Sequence, residues 1–126
     1  MVRNLARVAA AAVGLFGLVM GIHFWIDPIA AGAILGISGQ GVLGLATLRA
    51  DLGSLFGVSA ILSFAAAYRA DDKYLIAPIL LFALALLGRF LTVIVNGMAP
   101  VEVQPMAVEA ILVAVLVLSH RALRVQ

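Results

Sequence analysis

Four long apolar stretches govern what this chain can become. They run over about 5–26, 45–68, 74–95 and 105–123. Each holds the roughly 20 residues that an α-helix needs to cross a hydrocarbon core of about 30 Å. No water reaches that core, so each stretch must satisfy its own backbone, and only a helix does so within one segment. Composition points the same way. The chain is 65% hydrophobic and 11% charged, against roughly 25% charged for a soluble domain. So few charges cannot cover a soluble core of this size. The expectation is an all-α fold: a single transmembrane domain of 126 residues, built as a four-helix bundle.

The ends of the stretches carry stop signals. Asp27-Pro28 closes the first and Asn96-Gly97 the third, while Pro105 stands at a favoured first helical position for the fourth. The first stretch reads as a span and not as a cleaved leader. Its apolar run is too long, and the small-residue site Ala31-Gly32-Ala33 lies beyond Pro28. Basic residues set the orientation. Arg3, Arg7, Arg69, Lys73, Arg121 and Arg124 fall on one side of a four-span serpentine, and the connections 27–44 and 96–104 contain no Lys or Arg. Both termini are therefore expected in the cytoplasm, in a multi-pass protein of a bacterial inner membrane. The absence of cysteine excludes disulfides and thiolate metal sites. No metal, cofactor or nucleic-acid partner is expected, and the first partner is membrane lipid.

Small residues mark faces for close helix approach. Gly14, Gly17 and Gly21 recur on the first helix, and Gly53, Gly57 and Ala60 on the second. Packing within the chain is one use of these faces; a homo-oligomer contact is the other.

The remaining charges lie inside the spans. At 1.5 Å per residue, Arg49 and Asp51 sit about 6–10 Å below the outer entrance, Arg89 roughly 9 Å and Glu109 about 6 Å. These four, from three helices, occupy one slab of the outer leaflet with zero formal charge. On the third helix Arg89, Thr92 and Asn96 form a polar stripe, and on the second Asp51 shares a face with Ser54. Arg49 and Asp51 are about 200° apart around the helix, so they cannot both meet one partner. Asp51 and Arg89 are expected to face inward, whereas Arg49 either lines the pocket or snorkels outward. An ionisable group at this depth costs roughly 2.5–3.5 kcal/mol on insertion scales. The cluster is therefore either an interhelical network that pins helices or a polar binding site. In the binding reading Arg89, Arg49, Asn96, Thr92, Ser54 and His23 contact a lipophilic small molecule, and Asp51 and Glu109 supply acid–base chemistry. Interface anchoring is the plainer role for His23. Glu102 is expected to be solvated in an outer loop, His120 to be interfacial, and Tyr68 and Tyr74 to form an aromatic belt.

The connection 27–44 is long and rich in glycine. Its first half suits a short interfacial helix, and its position suits a lid over the charged slab. Gly36, Gly39, Gly41 and Gly44 do not make a phosphate loop, because no strand precedes them.

The Asp27-Pro28 stop, the R-A-D-L-G element carrying Arg49, Asp51 and Gly53, then Gly57, Arg89, the Asn96-Gly97 turn and Glu109 together resemble a known pattern. It is that of an uncharacterised family of small bacterial four-helix membrane proteins, distantly similar to the DoxX-like membrane proteins. The resemblance covers nearly the whole chain. This sequence departs from it at Ser54, where a second glycine is common, and at Asn96, where an acid is common. The resemblance implies the fold and supports the polar set, and it implies no activity. Three functions remain open: a site for a lipophilic ligand with or without cofactor-free isomerase, cyclase or hydrolase chemistry, a small transporter or channel subunit, and a structural subunit whose charges only pin helices.

Overall fold

The computed structural model describes residues 1–125, and these form helices and short connections with no strand among them. Four helices are long and apolar enough to cross a membrane, which makes the chain a multi-pass integral membrane protein. They run over Val2–Ile26, Gly41–Arg69, Asp72–Asn96 and Pro100–Arg124, and their main helices are α1 (Val2–Ile26), α4 (Gly53–Arg69), α5 (Ile76–Asn96) and α6 (Val103–Arg124), with two short helices, α2 (Pro28–Ile34) and α3 (Gly41–Thr47), between α1 and α4.

Helix boundaries differ from the expected ones for local reasons. The second span begins at α3, and a π-helical turn at Leu48–Leu52 joins it to α4. The whole span is 29 residues long. A 3₁₀ turn at Asp72–Leu75 leads into α5, and another at Pro100–Glu102 leads into α6. Pro105 is thus the third residue of α6, within the first turn, where its missing N–H has no helical acceptor to lose. Residues 27–44 are largely helical. Asp27 caps α2 by accepting a hydrogen bond from the Ala30 amide at 3.1 Å, and Pro28 takes the first position. Gly36 and Gly41 then turn the chain with positive φ.

The spans alternate in direction. Arg3 and Arg7 of α1 reach the last residues of α4, and Trp25 at the far end of α1 meets Arg49 just ahead of α4. His120 of α6 meets Asp72 between α4 and α5. Both termini therefore lie at one end of the bundle, hereafter the termini end.

Packing is uneven. The tightest pair is α1 with α4; α1 also packs on α6, and α5 packs mainly on α6 with only a thin contact to α4. Gly17 explains the first. A Cβ there would stand 2.8 Å from the Phe56 carbonyl oxygen and 3.1 Å from the Ala60 amide. The glycine face of α1 is thus filled by α4 of the same chain. Phe24 and Phe56 stack across this contact with centroids 5.9 Å apart, and Phe16 meets Phe56 edge-on. The core continues through Leu75, Phe82, Leu112 and Leu116. Only Pro78 and Phe82 of α5 are buried, so most of that helix is left to face lipid.

Candidate functional site

Arg89 stands on α5 about 25 Å from the termini end by helical rise. Its Nε donates to Glu109 Oε1 at 2.6 Å, and its NH1 donates to Glu102 Oε1 at 2.6 Å. The three side chains are 22%, 14% and 23% exposed, for Arg89, Glu109 and Glu102 respectively. The two carboxylates meet one guanidinium because they are seven residues apart, two helical turns, on one face of α6. Glu102 was expected to be solvated in a loop. Instead it is the N-cap residue of α6, where a negative charge also faces the positive end of the helix. With all three groups ionised the cluster carries one net negative charge. Charge-assisted bonds of this length are the strong kind, and they tie α5 to α6 just before the connecting turn.

Arg49 belongs to a different arrangement. Its Nε donates to the Trp25 carbonyl at 3.0 Å, and the Trp25 indole donates to the Arg49 carbonyl at 3.2 Å. The first bond satisfies one of the last carbonyls of α1, which have no acceptor role left inside the helix, and it sets a cation at that helix's negative end. The second reaches a carbonyl in the π turn, where the wider i→i+5 ladder disturbs the regular pairing. Gly53 makes room for the ring, since a Cβ there would lie 2.5 Å from the indole nitrogen. Arginine, π turn and glycine in R-A-D-L-G-S thus form one clamp on Trp25.

The opposite end of the α1–α4 pair is clamped in the same way. Arg3 donates to the Ala70 carbonyl at 3.1 Å and Arg7 to the Ala67 carbonyl at 2.6 Å. The α5–α6 pair also has a contact at its other end, where His120 Nδ1 lies 3.0 Å from the Asp72 carbonyl oxygen and 3.5 Å from its carboxylate. Each helix pair is therefore tied at both ends, and these polar ties stay within the pair.

The other expected site residues stand apart from the Arg89 cluster. Asp51, Ser54 and Asn96 are exposed, and their side chains have no hydrogen bond or ion pair with another described residue. Thr92 turns its hydroxyl back to the Gly88 carbonyl at 3.1 Å. His23 is half-buried near the end of α1; its carbonyl accepts from the Asp27 amide at 2.8 Å, and its imidazole makes no polar contact with the described residues. By helical rise Arg49, Asp51, Arg89 and Glu109 share a band roughly 22–30 Å from the termini end, yet only Arg89 and Glu109 are joined. Two surface recesses lie on the α2–α3 side. One is lined by Trp25, Ala46, Arg49 and Ala50, and the other is framed by Ile37, Gln40, Leu43 and Leu48. Neither reaches Arg89.

Charge is strongly polarised along the bundle. The termini end has six basic and two acidic residues; the other end has two basic and four acidic. Among the described residues no group of His, Asp and Glu has the proximity to hold a metal ion. The Arg89 cluster can bind a proton, a cation or a hydrogen-bond donor through its carboxylates, and Glu109 can exchange a proton with such a group. Comparisons with family models, with curated proteins and with solved structures match this chain to none of them.

Proposed function

We propose that this is a multi-pass protein of a bacterial inner membrane, with both termini cytoplasmic, whose Arg89–Glu102–Glu109 cluster receives the polar end of a lipophilic small molecule on the outer side. The observation that carries the reading is one guanidinium shared between two carboxylates at 2.6 Å each, all three partly open. Tying α5 to α6 takes one carboxylate. The second leaves an excess negative charge near the limit of the span, and charges at such depth mark functional sites. Both engaged nitrogens of Arg89 face protein acids, so the ligand's polar end is a hydrogen-bond donor or a cation directed at the carboxylates. Proton transfer by Glu109 is the catalytic form of the same reading. Residues 28–48 contain no charge and expose Ile29, Ile34, Val42 and Leu43; we place this segment in the periplasmic interface of that inner membrane. Kinship with the small four-helix membrane family and the DoxX-like proteins is part of the proposal, supported by the same residues.

A second reading has its own observation. The ties at both ends of each helix pair give Arg89 a purely structural use. Native mass spectrometry of protein extracted gently from its membrane separates the two. Under the ligand reading the wild type carries a co-purifying lipophile. Glu109→Gln and Glu102→Gln lose it while their unfolding temperatures stay near wild type. If the wild type releases only bulk lipid and both variants are destabilised, the pinning reading replaces it.

A further inference from the structure

Two basic residues stand at the end away from the termini, and they differ in one respect. Arg89 is occupied by two carboxylates, whereas Arg49 makes no ion pair with the described residues. Its one side-chain bond, from Nε to the Trp25 carbonyl, restrains the orientation of the guanidinium. Its terminal nitrogens have no partner among the described residues, and the side chain is exposed. It borders the recess with Trp25, Ala46 and Ala50, and no acid lines that recess. Asp51, two positions on, lies on the opposite side of the helix. Arg49 meets the last turn of α1 and by helical rise stands about 30 Å from the termini end, so we place it not about 6–10 Å inside the outer entrance but where a hydrocarbon core of about 30 Å gives way to headgroups. Trp25, 65% exposed, is placed as an interfacial anchor at that level.

An oriented guanidinium edge beside a shallow, open apolar surface at headgroup depth matches a particular chemistry. Guanidinium pairs bidentately with phosphate oxygens, and alanine and tryptophan surfaces suit the glycerol and first methylenes beneath. We propose that the Trp25–Arg49 recess binds the phosphate group of a phospholipid. The site is independent of the Arg89 cluster. The clamp explains why the arginine is not left mobile: orientation by the Trp25 carbonyl reduces the side-chain freedom lost on binding.

Trp25 is the only tryptophan, so its fluorescence reports on this recess alone. The full-length protein in a neutral maltoside micelle is titrated separately with dioleoylphosphatidylglycerol, dioleoylphosphatidylethanolamine, dioleoylglycerol and inorganic phosphate. Both phospholipids shift the emission with saturation, and dioleoylglycerol does not. Arg49→Gln weakens the apparent affinity at least fivefold. Ala46→Glu, which places a carboxylate in the recess and leaves the Arg49–Trp25 bonds in place, does the same and guards against misfolding of the first variant. Equal responses to dioleoylglycerol and the phospholipids overturn the proposal, as does wild-type affinity in both variants. Saturation by inorganic phosphate alone overturns the assignment to lipid.

Discussion

Gly17→Ala tests the tightest contact in the bundle. The new methyl would meet the Phe56 carbonyl oxygen at 2.8 Å, the Ala60 amide at 3.1 Å and the Ala60 Cβ at 3.2 Å. The first two are backbone atoms, so no side chain can rotate away. Relief requires α1 and α4 to separate, and the arginine clamps at both ends of the pair resist that. Overpacking of this kind costs about 1–3 kcal/mol. Replacing glycine by alanine inside a helix also gains roughly 1 kcal/mol of propensity, which would mask part of the loss. Gly57→Ala supplies the correction, because a Cβ there meets nothing within 4 Å. The propensity gain is common to both variants and cancels. Reversible SDS unfolding in mixed micelles, followed by circular dichroism, should then place Gly17→Ala about 1–3 kcal/mol below Gly57→Ala. Equal stabilities would refute the claim that α1 and α4 are in backbone contact at Gly17.

Further outcomes follow from the polar groups. Arg89→Met alone leaves two carboxylates facing each other without a cation, so it should be less stable in the same unfolding assay than Arg89→Met combined with Glu102→Gln and Glu109→Gln, in line with the larger cost of half-broken ion pairs. Ser63 is fully buried and its hydroxyl has no partner among the described residues, whereas the Ser59 hydroxyl donates to the Leu55 carbonyl at 2.9 Å; Ser63→Ala should be neutral or stabilising and Ser59→Ala should lose about 1 kcal/mol. For the orientation, single cysteines at 96–104 should react with a membrane-impermeant maleimide from the periplasmic side of intact cells, and those at 69–73 should not; the reverse pattern would move the Arg89 cluster to the cytoplasmic face.

What could be read from the sequence, and what could not, divides along a physical line. Length and hydropathy fix how many times the chain crosses and roughly how high each residue stands, because helical rise is uniform. The shared height of Arg49, Asp51, Arg89 and Glu109 is legible for that reason. Partnership depends on rotation about the axis, about 100° per residue, so a boundary misplaced by two residues moves a side chain to another face. Starting the last helix at Pro105 removed Glu102 from the register that puts it with Glu109; extending it through the 3₁₀ turn at Pro100–Glu102 restores the pairing. The signal was present as two acids seven residues apart. Arg3, Arg7 and Arg49 pose a harder problem. Their acceptors are main-chain carbonyls of Ala70, Ala67, Tyr68 and Trp25, and every residue has a carbonyl, so no complementary side chain marks the partner. Charge complementarity alone therefore groups Arg49 with the acids at its level. Helix ends expose carbonyls that no later turn can satisfy, so an arginine near the start of one span should be weighed first against the end of its antiparallel neighbour. By that rule Arg49 falls to α1 and Arg7 to α4. Arg89 stands seven residues before the end of its own helix, and the helix end that meets it is the N-terminus of α6, which offers amides and no free carbonyls, so Arg89 bonds acids instead.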